Sequence, residues 1–245
     1  MENAAYVGLS RQMTLRRELD IVANNIANAD TTAFKMEQLL VSAEIGQRAR
    51  NDMIRPSTSF VLDRGVGRDF GQGALELTGR DLDFGIEGEG AFFVVATGSG
   101  DAYTRDGSFT LDPEGRLTTQ RGEAVQGDGG DIMVDTTLGP ITVGQDGTIS
   151  QDGQIVGQMR VVRFDTLSVL SKDGDGLYRN SSNAQPADAP DARVRQGNLE
   201  DSNVNPLIEI TNLIEISRAY ERVTKMIENA NDLSRRSVER LGKAQ

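Results

Sequence analysis

The side chains in this sequence that could do chemistry are carboxylates. Asp81 and Asp83 stand two residues apart, and so do Glu87 and Glu89. On a strand that spacing puts both acids of a pair on one face, the arrangement a general acid and its partner base would need against a glycan. A further acidic run, Asp173-Gly174-Asp175-Gly176, opens like a calcium loop, but the Glu required at the twelfth position falls on Ala184. The Gly-rich stretch Gly85-Ile86-Glu87-Gly88-Glu89-Gly90 has the wrong glycine order for a phosphate loop, and no Lys-Ser/Thr follows it. The chain contains no His and no Cys. The commonest general base, the softer metal ligands and the thiol nucleophile are therefore all missing. Acid pairs are usually solvated, and nothing around these suggests a raised pKa. No catalytic, metal-binding or cofactor-binding residue and no cofactor are expected; a carboxylate enzyme acting on cell-wall glycan is the alternative from a different class.

The elements that would position any site are unusual in their order. The 245 residues leave room for one large domain or two small ones. A helix is expected from about Asn3 to Asn28, because Leu15, Leu19, Val22 and Ile26 recur at spacings of four, three and four, with Leu9 and Met13 leading in. A second and longer helix starts at Asn205-Pro206, a capping residue followed by a proline at the first helical position. Its stripe runs through Ile216, Ala219, Val223, Met226, Ala230 and Leu233, widened by Leu213, Tyr220 and Ile227. With no Gly or Pro between Leu207 and Leu241, it would extend about 50 Å. Between the helices the chain turns Gly-rich, with β-type runs such as Phe92–Val95 and Met159–Phe164. Turn signals recur at Asp106-Gly107, Asp112-Pro113-Glu114-Gly115, Asp146-Gly147 and Asp152-Gly153. Asp106 to Thr110 and Asp146 to Ser150 resemble each other, and both read as hairpins.

The expected fold class is α+β: long N- and C-terminal helices paired as a coiled-coil axial domain, plus a β-rich outer domain with extended connectors. The expected boundaries are 1–35 for the N-terminal helix, 36–68 for an extended connector, 69–180 for the β-rich domain, 181–205 for an extended return and 206–245 for the C-terminal helix. The longest apolar run, Ala91 to Ala96, is strand-length and too short to span a bilayer. No basic start, apolar stretch and small-residue cleavage site mark a signal peptide at the N-terminus.

The formal net charge is −11, which argues against nucleic acid as a partner. Residues 1–35 carry four basic and four acidic side chains, residues 206–245 seven and six, and residues 36–205 fifteen and twenty-seven. Near-neutral ends can crowd together while an acidic body stays soluble. A helix of about 50 Å also outreaches a compact β domain, so part of its stripe must find a partner beyond that domain. Candidates are the N-terminal helix and the helices of other copies. The residues expected at the assembly interface are Leu15, Leu19, Val22, Asn24, Asn25, Ile26, Asn28, Leu213, Ile216, Ala219, Tyr220, Val223, Met226, Ile227, Ala230 and Leu233. Spacing leaves open whether the asparagines fix register at an interface or face solvent.

Four blocks resemble one known family. Leu19-Asp20-Ile21-Val22-Ala23-Asn24-Asn25-Ile26-Ala27-Asn28-Ala29-Asp30-Thr31-Thr32-Ala33-Phe34-Lys35 is similar to the N-terminal signature of flagellar rod and hook proteins, which often have Gly where Ala33 stands. Gly73 to Phe84 with Gly88 to Val94 resembles the family's central block, and Tyr103 to Phe109 continues it. Gln196 to Asn205 and Ser217 to Glu221 resemble the C-terminal signature. Length and C-terminal wording lie closest to the proximal-rod members, with the distal-rod members, usually somewhat longer, as the alternative. The resemblance implies an axial subunit that stacks helically with copies of itself and other rod proteins. It implies passage through the flagellar export apparatus without a cleaved signal, assembly in the periplasm, torque transmission to hook and filament, and no direct membrane insertion.

Overall fold

The computed structural model describes residues 2–45, 59–182 and 184–242. The chain divides into two compact units. One comprises Met1–Ala27, Glu37–Asp69 and Asn205–Gln245, the other Asn28–Met36 and Phe70–Val204. The fold is α+β, with a helix towards each end of the chain and a β-rich body in the sequence between them.

The first unit contains helix α1, Glu2–Ala27, and helix α2, Pro206–Gly242, within one residue of the expected starts. Asn205 caps α2 as its type predicts: its Oδ1 accepts the N–H groups of Leu207 (3.1 Å) and Ile208 (3.3 Å). The 37 residues of α2 extend about 55 Å. The helices run antiparallel in contact. Gln12 Nε2 donates to Thr224 Oγ1 at 3.1 Å, and further along Asn25 Nδ2 donates to Glu209 Oε2 at 2.9 Å. Gly8, the weak point of α1 by propensity, packs directly against α2: a Cβ there would lie 2.8 Å from Ile227 Cγ1. The missing side chain sets the approach of the helices, which outweighs its propensity cost.

Residues 36–68, expected as an extended connector, contribute a paired ladder to this unit. Strand β1, Glu37–Ile45, runs antiparallel to β2, Ser59–Arg68, with a bulge between Leu40 and Val41. Unpaired extended backbone would forgo its hydrogen bonds; a hairpin satisfies them, and β1 joins α1 through the Asn25 contacts described below. Residues 46–58 of the expected connector and 243–245 of the expected C-terminal helix lie outside the described residues.

The second unit is built on a ten-stranded sheet whose centre is the strand Ala91–Thr97. Its side chains alternate between two cores. Ala91, Phe93 and Val95 join Phe84, Ile86, Phe109, Leu117, Val125 and Ile149, whereas Phe92 and Val94 join Tyr103, Val162, Phe164, Leu170 and Tyr178. Burial on both faces is why this stretch reads as a continuous apolar run. Edge-to-face rings close the smaller core, Tyr103 on Phe164 at 4.8 Å and Phe92 on Tyr178 at 5.9 Å.

One reading of this unit changes. Asp146-Gly147 does turn a hairpin, between Ile141–Val143 and Thr148–Gln151, and Asp152-Gly153 turns the next with both residues at positive φ (49° and 77°). Asp106-Gly107 does not. The strand before it, Gly100–Thr104, pairs with Ala91–Thr97 and Leu177–Asn180, and the strand after it, Thr110–Leu111, pairs with Leu117–Thr118. Local likeness in the sequence could not reveal these distant partners. The return segment 181–205 is extended, and its strands pair within the unit. Ala187–Asp188 pairs with Val161–Arg163, Arg193–Gln196 with Phe84–Glu87, and Asn198–Glu200 with Leu75–Leu77. Val194 and Leu199 are buried and anchor it, and the unit runs on to Val204.

Ala33 sits at φ 56°, the left-handed region, and is 4% exposed. Its N–H donates to Glu200 O at 2.7 Å, which holds it there. Ala33→Gly removes the Cβ clash and is expected to stabilise the protein by about 0.5–1 kcal/mol, net of the glycine's greater freedom when unfolded. Urea unfolding of the two proteins checks this.

Candidate functional site

The α1–α2 pair carries the residues singled out by the stripes. Leu15, Val22 and Asn25 are buried; Leu19, Ile26, Asn28, Leu213, Ile216, Ala219, Tyr220, Val223, Ile227 and Ala230 are half-buried; Asn24, Met226 and Leu233 are exposed. The apolar stripe of α2 is thus wider than one seam. Glu209, Leu213, Ile216, Tyr220, Val223, Ile227 and Ala230 share one side of the helix, whereas Met226 and Leu233, seven apart, are left outside it at 52% and 58% exposure. Other large apolar side chains on the helices are also exposed: Tyr6, Leu9 and Met13 on α1, and Leu207, Ile208, Ile210 and Ile214 on α2. Leu9 and Met13 lead into the α1 stripe in the sequence, whereas Tyr6 and the short group at the start of α2 lie off the stripes that spacing identified.

The asparagines divide by role. Asn25 is 1% exposed and joins three elements. Its carboxamide pairs with the peptide groups of Glu37 on β1, donating to the carbonyl at 2.9 Å and accepting the N–H at 3.0 Å. The same Nδ2 donates to Glu209 in the first turn of α2. Asn212 Nδ2 donates to the other oxygen of Glu209 at 2.9 Å, so this buried carboxylate is held by two amides. Asn25 therefore works inside the unit rather than at its surface. Asn24 is exposed, and Asn28 accepts the Thr31 hydroxyl at 3.2 Å just beyond α1.

A second polar clasp lies in the β-rich unit. Lys35, Arg105 and Glu200 are each 2% exposed or less. Lys35 Nζ donates to Glu200 Oε1 at 2.5 Å and to Gly71 O at 2.7 Å. Arg105 reaches Glu200 Oε2 through Nε (2.6 Å) and Nη2, and its Nη1 donates to the carbonyls of Gly88 and Ala91, each at 2.8 Å. Gly73 N–H adds a donor to Oε1 at 2.9 Å. One carboxylate thus gathers the segment after α1, the central block and the return segment. Sequence reasoning missed the set, although all three residues lie within the quoted family blocks. Charged residues inside otherwise apolar or Gly-rich signatures were the available signal.

The candidate catalytic acids are differently engaged. Asp83 is 2% exposed, and its Oδ2 accepts the Thr78 hydroxyl at 2.5 Å and Arg80 Nε at 2.8 Å. Asp81, Glu87 and Glu89 are exposed, and Glu87 pairs with Arg195 at 2.6 Å. Asp83 is thus buried and hydrogen-bonded through Oδ2, while its would-be partner faces solvent. Asp173 binds Arg179 at 2.5 Å, and Asp175, at φ 46°, forms the turn between Leu170–Gly174 and Leu177–Asn180. Among the described residues no group of acids could hold a metal ion, and no helix is long and apolar enough to cross a membrane.

Comparison with known proteins decides the family. Three family models match in order: "Flagella basal body rod protein" over residues 6–35, "Flagellar hook protein FlgE/F/G D1 domain" over 85–151 and "Flagellar basal body rod FlgEFG protein C-terminal" over 195–240. The chain is 57% identical to the flagellar basal-body rod protein FlgF of Caulobacter vibrioides, over 99% of both chains. The chain belongs to the flagellar basal-body rod protein family. It is 37% identical to FlgF of Rhizobium meliloti over 99% of each chain, and 34% identical to FlgG of Bacillus subtilis over 95% of this chain and 97% of that one. This rod protein is a structural subunit of the flagellar basal body and not an enzyme. Most of each helix falls within a matched region, and Asn25, Lys35, Arg105, Glu200 and Glu209 all do.

Proposed function

We propose that this rod protein polymerises through α1 and α2, paired as a coiled-coil axial domain, into the proximal rod, the drive shaft that transmits torque for swimming. The observation that carries this reading is the apolar surface left on the helices after they pair: Tyr6, Leu9, Met13, Leu207, Ile208, Ile210, Ile214, Met226 and Leu233 are all at least 44% exposed. Apolar side chains exposed on several sides of a helix pair mark surfaces that further helices cover. The partners are copies of the chain and other rod proteins. Proximal rather than distal placement is supported by the higher identity to FlgF (57%) than to FlgG (34%). The family resemblance further supports delivery to the periplasm through the flagellar export apparatus without signal cleavage.

Met226→Asp and Leu233→Asp test the reading, because both side chains are exposed and the folded chain tolerates polar groups there. Each variant is expected to keep its helical content and unfolding midpoint, and to lose swimming and incorporation into basal bodies. Wild-type swimming by both would sink the proposal.

A further inference from the structure

The chain crosses between its two units after Ala27, Met36, Asp69 and Val204. Residues 28–36 thus lead into the β-rich unit from α1 and out of it to β1, and residues 198–204 lead out of it to α2. Within the β-rich unit these two segments hold each other. Ala33 N–H donates to Glu200 O at 2.7 Å, Asn203 N–H to Phe34 O at 3.3 Å and Met36 N–H to Asn203 Oδ1 at 2.7 Å, beside the buried Lys35–Glu200 pair. Both lie on a common seat, residues 70–77. Lys35 Nζ and Asn203 Nδ2 donate to the same carbonyl, Gly71 O, at 2.7 and 3.1 Å. Gly73 N–H donates to Glu200 Oε1 at 2.9 Å, Asp201 N–H donates to Ala74 O at 2.8 Å, and Asn198–Glu200 pairs with Leu75–Leu77. The seat is fitted closely at Gly73, where a Cβ would lie 2.0 Å from Asp201 O.

We infer that residues 198–204 form a strap, hinged at Gly197, that leaves the β-rich unit as one piece and takes 28–36 with it while the central sheet stays folded. Gly197 stands at φ 74°. Its N–H donates to Asp83 O at 2.7 Å and its carbonyl accepts Thr78 N–H at 2.8 Å, which fixes the near end of the strap. Charge couples the two segments. With Glu200 gone, Lys35 would be left 2% exposed with no anion, a cost that drives its segment into water as well. Arg105 stays, because the carbonyls of Ile86, Gly88 and Ala91 still accept its donors and the vacated side admits water. The seat stays too. Phe70 packs on Phe92 and Tyr178, with ring centroids 5.8 and 5.3 Å apart, and Gln72 Nε2 donates to Ile86 O at 2.9 Å. The departing pair is anchored by few apolar side chains, chiefly Phe34, Leu199 and Val204, whereas the sheet has a core on each face. The strap is therefore the weaker part of the unit. One set of bonds holds to the sheet both the chain that comes from α1 and the chain that enters α2.

Native-state hydrogen exchange of the full chain at low urea tests this. The amides of Ala33, Met36, Gly73, Asp201 and Asn203 are expected to share one opening equilibrium, well below the protection of Phe92–Val95. Asn203→Ala removes the side-chain bonds to Met36 N–H and Gly71 O. It is expected to speed exchange at the other four of these amides by a common factor of about ten. Ala33 and Gly73 are the informative ones, because their acceptors belong to Glu200. A rise confined to Met36 overturns the inference, as does protection of Ala33 and Gly73 equal to that of Phe92–Val95. Gly73→Ala is the second variant, since its Cβ displaces the strap from the seat. The Ala33 and Met36 amides, on the other segment, are expected to lose protection while Phe92–Val95 stay protected. An Ala33 amide as protected as in the wild type overturns the inference.

Discussion

Glu200→Gln is expected to destabilise the β-rich unit by about 3–5 kcal/mol, the usual cost of leaving buried charge uncompensated. The side chain keeps its shape, so the effect isolates the charge. Lys35 and Arg105 would both stay buried with no anion between them, and their donors to Gly71, Gly88 and Ala91 cannot replace it. Lys35→Met should cost much less, about 1–2 kcal/mol, because Glu200 keeps its contacts with Arg105 and with Gly73 N–H. Urea unfolding of the three proteins gives both numbers. Equal losses in the two variants would show that packing of the segment, rather than charge balance, holds it. A domain of this size has about 5–15 kcal/mol in total, so Glu200→Gln is also expected to lower the amount of chain reaching the basal body.

Asn25→Asp is the second large effect, expected at about 3 kcal/mol or more from the general costs of unpaired and like-charged buried groups. The substitution is nearly isosteric. It replaces the Nδ2 that donates to both Glu37 O and Glu209 Oε2 at 2.9 Å with an oxygen that can donate to neither. Two carboxylates then face each other in a site where Asn25 is 1% and Glu209 5% exposed. Asn25→Ala loses the same bonds without adding the repulsion and should cost about half as much. Circular dichroism and urea unfolding compare them. Partial unwinding at the start of α2 is the expected form of the damage, because Glu209 stands in its first turn. A swimming assay adds the functional readout: Asn25→Asp should be non-motile although no exposed side chain has been altered.

These two sites also mark the limit of what was legible. Helix existence, the Asn205 cap and the strand through Phe92 were readable because each is a local pattern: a 3.6-residue period, a cap before a proline, a short apolar run between turns. The expected stripe on α2 was real but only half assigned. Periodicity identifies which residues share a face, not how much of that face one partner can cover, so Ile216 and Val223 turn inward while Met226 and Leu233 are left out. Asn25 and Asn28 looked alike in sequence, yet one is locked against Glu37 and the other caps a turn. What separates them is the position of β1, twelve residues further on.

The sequence by itself determined the character of this protein. Absent His and Cys removed most routes to catalysis, near-neutral ends flanked an acidic body, and two long amphipathic helices demanded a partner that the β-rich body was too small to supply. Four signature blocks then pointed to one family. Only the tertiary structure decided how the pieces meet. Strand pairing joins residues far apart in the chain, as between Asn198–Glu200 and Leu75–Leu77, and no local propensity encodes such a partner. A buried charge is tolerable only where its counter-charge arrives in space, so the joining of Lys35, Arg105 and Glu200 became visible only with the chain folded. The same holds for the helices: their need for company is written in the residue period, and the faces left over after they pair are set by the pairing itself.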